Sequence, residues 1–315
     1  MAPARDDLAA VFVGVATLDA IALVARYPGA DERVLADEVA YAGGGPAATS
    51  AVAAARLGVP CAFVGAVGDD ANGHAIVAGL EAEGVDVSGV TLLPGEASAA
   101  SVVVVDRGRG TRAISNRPAP RVEITAGADL IASAPVVHVD HAGWEPVHAS
   151  GLVRAGQLLS VDAGNDIPHF DTRSAGLYVP TVEALQRLHG GLEVDDLLAR
   201  AVADGAGTVV ATAGSRGSWA LTAQGERAHA PAHRVDVLST LGAGDVFHGA
   251  LVAAVVDGLP LHDQLVVANV TAALSCRGLD GRSAIPRAAS ASALLATSSP
   301  PTPRPAPAPA STTSA

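Results

Sequence analysis

Val237-Leu238-Ser239-Thr240-Leu241-Gly242-Ala243-Gly244-Asp245-Val246-Phe247-His248-Gly249-Ala250-Leu251 is the stretch on which the reading of this chain turns. It reads as a short apolar strand, a turn of small residues carrying an acid, and a helix opening directly from the turn. Gly242 and Gly244 let backbone N–H groups approach an anion with no Cβ in the way. A helix start adds unpaired N–H donors and the positive end of a dipole. Asp245 falls in the first turn, where a carboxylate is stabilised and is placed to take a proton from a bound hydroxyl. A plain helix N-terminus with an acidic residue has the same composition, so this stretch alone leaves both readings open. Val246, Phe247, Ala250, Leu251, Ala254 and Val255 recur at helical spacing, and Gly258 ends the helix.

Working outward, strands are expected at 208–211, 218–222 and 233–238, with a turn Thr212-Ala213-Gly214-Ser215-Arg216-Gly217 between the first two. A second helix, near 261–275, carries Asn269 and has Cys276 at its far end. From residue 297 the chain reads TSSPPTPRPAPAPASTTSA, a composition expected of a disordered tail (297–315) behind a single domain (1–296). Towards the N-terminus, 9–16 is an apolar strand with Asp19 just beyond it, where open α/β sheets place ligand groups; a turn cap reads equally well. Gly43-Gly44-Gly45-Pro46-Ala47-Ala48-Thr49 precedes a small-residue helix ending at Gly58. It also fits the loose form G-x-G-x-x-A with Asp69 about twenty residues on. A dinucleotide fingerprint follows the first strand of its unit, however, and 11–15 already occupies that place without glycines in pattern.

Further strands are expected at 61–67, 135–140, 158–162 and 177–179, with helices at 74–83 and 183–188. Such alternation predicts an α/β fold with a mostly parallel sheet covered on both faces. The segment 101–116 differs: it is a hairpin with no helix after it, expected to pair with the charged segment 30–41 as a small separate sheet. His138 and His141 have H-x-x-H spacing, but on a strand they fall on opposite faces and no third ligand is near, so no zinc site is expected. No G-x-S-x-G occurs to support a serine hydrolase.

Composition narrows the chemistry. Of 315 residues 49% are apolar but only 3% aromatic, so the core must be Ala, Val and Leu in close-packed layers. The formal net charge of −12 argues against nucleic acid or an anionic membrane as partner. No apolar run approaches ~20 residues and no signal peptide is evident, so a cytoplasmic protein with reduced Cys61 and Cys276 is expected. There is no lysine; all twenty basic residues are arginine. That excludes a Walker A loop, a lysine-dependent protein-kinase site and Schiff-base chemistry. An ATP-using enzyme of this composition must hold phosphates with backbone N–H groups, arginine and metal.

Two blocks in this order, GGGPAATSAVAAARLG followed by FVGAVGDDANG, then V-x-A-T-A-G-S-R-G followed by S-T-L-G-A-G-D-V-F-H-G-A-L, resemble the PfkB/ribokinase family of carbohydrate kinases over about residues 9–290. With the terminal Gly281-Arg282-Ser283-Ala284-Ile285-Pro286, the sulfofructose kinase branch looks nearest. The resemblance implies a ribokinase-like three-layer α/β/α fold with a β-sheet lid formed from about 30–42 and 98–117. It implies an ATP- and Mg²⁺-dependent phosphorylation of a primary hydroxyl on a small sugar: fructose-like, sulfofructose-like or a keto-deoxy sugar acid. Asp245 matches the catalytic base, and Gly242, Ala243 and Gly244 the anion hole. Thr212, Gly214 and Gly217 match the nucleotide-binding turn, and Asn269 a position near the adenine. Asp19, Gly44, Gly45 and Thr49 match the sugar side; of the three groups a sulfosugar would need, Asn116 matches an Asn, Arg33 replaces a Lys, and His141 occupies the region of an Arg that has no clear counterpart, so sulfofructose is not assigned. Glu183 matches an acid that organises Mg²⁺ through water, although Pro180 replaces the Asn of its N-x-x-E motif. Ser239 replaces the first Asp of D-T-x-G-A-G-D, the residue that helps hold K⁺, so a K⁺ requirement does not carry over. A homodimer through the lid is implied as well. Two other readings remain: a weakly catalytic binding protein of the same fold, and a dinucleotide-dependent oxidoreductase.

Overall fold

In the computed structural model, which describes residues 7–298, the chain runs through thirteen strands and nine α-helices. They are β1 (Ala10–Val13), β2 (Thr17–Val24), β3 (Ala36–Gly44), α1 (Pro46–Arg56), β4 (Cys61–Gly68), α2 (Ala71–Ala82), β5 (Asp86–Leu93), β6 (Ala100–Asp106) and β7 (Thr111–Arg117). Then follow α3 (Ala128–Ser133), β8 (Val136–Val139), α4 (Trp144–Ser150), β9 (Leu158–Ala163), β10 (Leu177–Pro180), α5 (Val182–His189) and α6 (Val194–Ala203). The last are β11 (Thr208–Thr212), β12 (Ser218–Thr222), β13 (Arg227–Ala230), α7 (Ala243–Val256), α8 (Leu261–Ser275) and α9 (Ala291–Ser298).

Nine strands form the main sheet in the order β13-β12-β11-β10-β9-β8-β1-β4-β5, parallel except at the β11-β12-β13 edge. The side-chain period of two explains why both faces are covered. Ala10 and Phe12 of β1 join one core with α1, α7 and α8, while Val11 and Val13 join the other with α3, α4, α5 and α6. The first core is alanine-rich where α1 packs on α7: Ala47, Ala48, Ala51, Ala53, Ala250, Ala253 and Ala254 are buried there. Small side chains bring the two helices close enough for Ser50 Oγ to donate to the Asp245 carbonyl at 2.8 Å. Cys61 and Cys276 are buried and unpaired by disulfide, as expected. No described helix is long and apolar enough to cross a membrane.

The smaller sheet has the order β3-β2-β6-β7. Here the structure corrects the expected pairing. The hairpin β6-β7 does not meet β3; β2 lies between them, antiparallel to β3 and parallel to β6. Asp19 therefore lies inside β2 rather than in a turn after β1. The sequence reading stopped at residue 16 because TLDAIALV mixes apolar and polar positions, and only its contact with a second sheet makes it a strand. One face, with Ile21, Leu23, Val103 and Val105, packs on Leu238, Leu241 and Leu279.

The strand expected at 233–238 is absent. Those residues run without regular structure, and the sheet ends instead at β13. Leu238 and Ser239 give their N–H groups to the Cys276 carbonyl at 2.8 and 3.1 Å, so this segment is held by the α8 end rather than by a ladder. No sequence pattern announces β5, α3, α4, α6, β13 or α9. α9 extends through Ser298, two residues past the expected start of the tail; the rest of that tail, 299–315, lies outside the described residues.

Candidate active site

Asp245 sits on the first turn of α7, at the ends of the parallel strands where β1 has β4 on one side and β8 on the other. Such a switch point leaves a crevice in which open α/β sheets bind ligands. The turn before it is built as expected. Gly242 caps α7 at φ 71°, ψ 1°, a left-handed conformation, and no side chain caps the helix. Its first N–H groups therefore lack a side-chain partner, the arrangement in which a helix start can receive an anion; that of Ala243 reaches the Thr240 carbonyl at 3.4 Å. Ser239 is buried, and its Oγ accepts the Leu241 N–H at 3.2 Å. A neutral hydroxyl thus shapes the turn where the family pattern has an acid.

The surroundings of Asp245 are more charged than its sequence neighbours suggest. Burial, then the nearby Asp162 carboxylate, push its pKa up to about 7, with Asp140 adding and His248 and Arg282 opposing. His248, one helical turn further on, pairs through Nε2 with Asp162 Oδ1 at 3.1 Å. Burial alone would raise the pKa of Asp162, but His248 and the Gly164 N–H hold it to about 2. The same pairing raises His248 against the effect of burial. Behind them His138 bonds Ser160 Oγ at 3.0 Å, and burial with the charge of His248 keeps it neutral, near 3. His138 is thus a core residue, and no group of three or more metal-ligating side chains occurs among the described residues.

The sugar-side candidates converge from several elements. Asp19, buried on β2, accepts a hydrogen bond from Thr17 Oγ1 at 2.8 Å and lies against Gly44, whose missing side chain leaves it room. Gly45 starts α1 at φ 90°, and a Cβ there would strike the Val15 carbonyl, so only glycine fits. Pro46 then opens α1 at a position suited to its fixed φ. The glycines thus belong to the β3–α1 junction, which removes the G-x-G-x-x-A reading. Thr49 is buried on α1 and faces Arg282, which donates to its Oγ1 at 3.2 Å. Asn116 and His141 line one cavity of about 420 Å³ with Thr17, Pro46, Arg117 and Arg121. Arg33 is not with them; it lies in the exposed loop between β2 and β3.

On the other flank, Thr212 ends β11 and leads into the turn of Gly214 (φ 54°) and Gly217 (φ 90°). Asn269, buried on α8, donates through Nδ2 to Ala230 O at 2.9 Å and Ser218 Oγ at 3.1 Å, fixing the wall behind that turn. Arg216 of the turn lies 3.8 Å from Glu183, which stands exposed in the first turn of α5. Since no group of three or more ligating side chains occurs among the described residues, a Mg²⁺ ion here would be held mainly by nucleotide phosphates and water, near Glu183.

Sequence reasoning missed Asp140, which ends the PVVHVD strand. It is fully buried and accepts N–H bonds from Val15 (2.7 Å), Ala142 (2.9 Å), Gly143 (2.9 Å) and Ala47 (3.3 Å). One carboxylate thereby ties the β1 end, the α1 start and the α4 start together beneath the crevice. Asp140→Ala leaves these donors unpaired and is expected to cost about 2–4 kcal/mol of folding stability. A denaturant titration showing a loss under about 1 kcal/mol would remove it from that role.

The description "pfkB family carbohydrate kinase" matches residues 8–157 and 174–288. An ATP-dependent ribose-1-phosphate kinase of Halopiger xanaduensis is 29% identical over 280 residues, 86% of this chain and 93% of its own. A fructokinase of Solanum tuberosum is 31% identical over 231 residues, 68% of this chain and 72% of its own. Among solved structures, Arabidopsis thaliana ribokinase complexed with ribose and ATP superposes with a TM-score of 0.79 at 25% identity, covering 94% of this chain and 99% of that one.

Proposed function

The chain belongs to the pfkB family of carbohydrate kinases, and on that premise we propose that it moves the terminal phosphoryl group of ATP to a primary hydroxyl of a small sugar, with Asp245 as the base. The observation that carries this assignment is the pairing of the uncapped, left-handed Gly242 turn with a carboxylate raised to about 7. A base must accept a proton near neutrality, and a raised carboxylate does so better than an ordinary one. The N–H groups at Gly242, Ala243 and Gly244 and the α7 dipole stabilise charge on the transferring group. Thr212, Gly214 and Gly217 receive the nucleotide, and Asn269 holds the wall behind it. Glu183 is the acid that would organise Mg²⁺ through water, and the ion would supply positive charge against the nucleotide phosphates. Ser239 brings no charge to hold K⁺, and no role for K⁺ is assigned.

The acceptor lies along Asp19, Gly44, Gly45 and Thr49, with its far end in the cavity of Asn116 and His141. Arg117 and Arg121 add positive charge to that cavity, partly committed to Ser98 O (2.8 Å) and Glu145 (3.7 Å). Such a lining supports a sugar with an acidic group, sulfofructose-like or a keto-deoxy sugar acid, over fructose. The test is an ADP-release assay over fructose, ribose, ribose 1-phosphate, sulfofructose, 2-keto-3-deoxygluconate and nucleosides. An acidic sugar is expected to show kcat/KM at least about tenfold above fructose, the effect of one charge-assisted contact. A preference for fructose would overturn the acidic acceptor. Nucleotide binding with no acceptor used would leave a binding protein instead of an active kinase.

The small sheet serves as lid and dimer contact in this reading. Its outer face exposes Val39 and Tyr41 of β3 and Val102 of β6, between 58% and 77% accessible. An apolar face of this kind on a sheet favours a matching face. Sedimentation velocity at micromolar concentration is expected to show a dimer that Tyr41→Asp weakens. A monomeric wild type would sink the contact.

A further inference from the structure

Among the described residues Arg282 is the one arginine of the buried class, 8% exposed. The loop that carries it, after α8, is tightly held. Asp280 Oδ1 accepts the N–H groups of Arg282 and Ser283, both at 2.6 Å, and Arg56 Nη1 donates to the Arg282 carbonyl at 2.5 Å. From there the side chain crosses to the glycine loop. Nη2 donates to the Gly44 carbonyl at 2.8 Å and Nε to Thr49 Oγ1 at 3.2 Å, while Nη1 fills the space that a side chain on Gly43 would take. The preceding residue touches the other half of the site: a Cβ on Gly242 would stand 2.9 Å from Gly281 Cα. One dipeptide therefore contacts both the acceptor loop and the anion turn.

A buried guanidinium is stable only with partners for its charge. Burial lowers its pKa to about 10, still cationic at neutral pH, and Asp19 on β2 and Asp245 on α7 oppose that fall most, followed by Glu83 and Asp280. Facing Asp245 in turn are Asp162 at the β9 end, His248 on its own helix, Asp140 after β8, and Arg282. Two of those four are acids, and His248 is committed to one of them, Asp162. We propose that Arg282 is a positioning residue for phosphoryl transfer: it clamps the Gly43–Gly45 loop against the Gly242 turn and brings one positive charge within reach of both Asp19 and Asp245. This rests on the assignment of Asp245 as base.

The test is the titration of Asp245 in the free protein, followed by carboxyl carbon-13 resonances of labelled aspartate and assigned by their loss in Asp245→Asn. Arg282→Gln, which keeps polar contacts and removes the charge, is expected to move the midpoint up from about 7 by about one pH unit, the size of effect of a neighbouring opposite charge. Arg282→Lys restores the charge and is expected to bring the midpoint back to the wild-type value. A midpoint in Arg282→Gln equal to wild type, with thermal melting showing a folded protein, overturns the proposal. Should Arg282→Gln fail to fold, Asp19→Asn decides. With Asp19 neutral, Arg282 has Asp245 as its principal carboxylate, and the midpoint is expected to fall; an unchanged midpoint overturns the proposal. The titration needs no acceptor, so a wild type that phosphorylates nothing in the sugar panel would defeat the proposed function and leave this result standing.

Discussion

Asp245→Asn is expected to cut kcat by at least about 10²-fold while the Kd for ATP stays within about twofold. The amide keeps the size of the carboxylate and leaves the α7 N–H groups in place, so the anion turn survives and only proton acceptance is lost. The pH profile should carry the same signature. Only ionised Asp245 accepts the hydroxyl proton, and burial with Asp162 places its pKa at about 7. Wild-type kcat/KM should therefore rise with pH through about 7 and level off above it, and this limb should vanish in the variant. Stability should move the opposite way. A carboxylate whose folded pKa lies above its unfolded value destabilises the fold once the pH exceeds the unfolded value, and increasingly so up to the folded one. The asparagine variant should thus melt above wild type at pH 8 and close to it at pH 4. Full retained activity in a kinetic assay would remove Asp245 from the base role.

Gly242→Ala is the second large effect: a loss in kcat of about 10²-fold or more, with folding stability lowered by about 1–3 kcal/mol. At φ 71° an alanine is strained, and its Cβ would stand 2.9 Å from the backbone of Gly281. Gly281 presents backbone there, not a flexible side-chain tip, so the turn must shift, and the N–H groups shift with it. Hydrogen bonds aimed at a transition state tolerate little displacement. Gly244→Ala is the control. A Cβ there meets nothing within 4 Å, and the residue is already helical. Its fold should be intact, so a kcat loss in Gly244→Ala would report crowding of the transferring group alone. If Gly242→Ala turned over at the wild-type rate, the turn would have no part in stabilising the transfer.

The two structural roles of acids in this protein show where sequence legibility stops. Asp245 is legible because turn, acid and helix are contiguous, and local backbone geometry follows from glycine and helical spacing. Asp140 is not. Its four N–H partners come from residues 15, 47, 142 and 143, and nothing in PVVHVD separates that acid from any other at a strand end. Arg282 was visible as part of a terminal motif but had no role until the fold laid it across Gly44 and Thr49. Arg33 shows the converse: the family resemblance put it at a ligand contact, and the structure has it in an exposed loop.

What the sequence determined by itself is therefore the α/β alternation, the buried parallel strands, and the glycine turn at Gly242 that opens a helix with Asp245 in its first turn. These depend on periodicity and on residues within a few positions of one another. Tertiary structure alone decided that residues 17–24 form the inner strand of a second sheet, that 233–238 forms no strand, and which charges surround Asp245. Pairing of strands and the burial of charge both depend on partners far along the chain: Asp162 and His248 lie 86 positions apart, Arg282 and Gly44 238. The field that raises the pKa of Asp245 is a sum over those partners, and it exists only once the chain is folded.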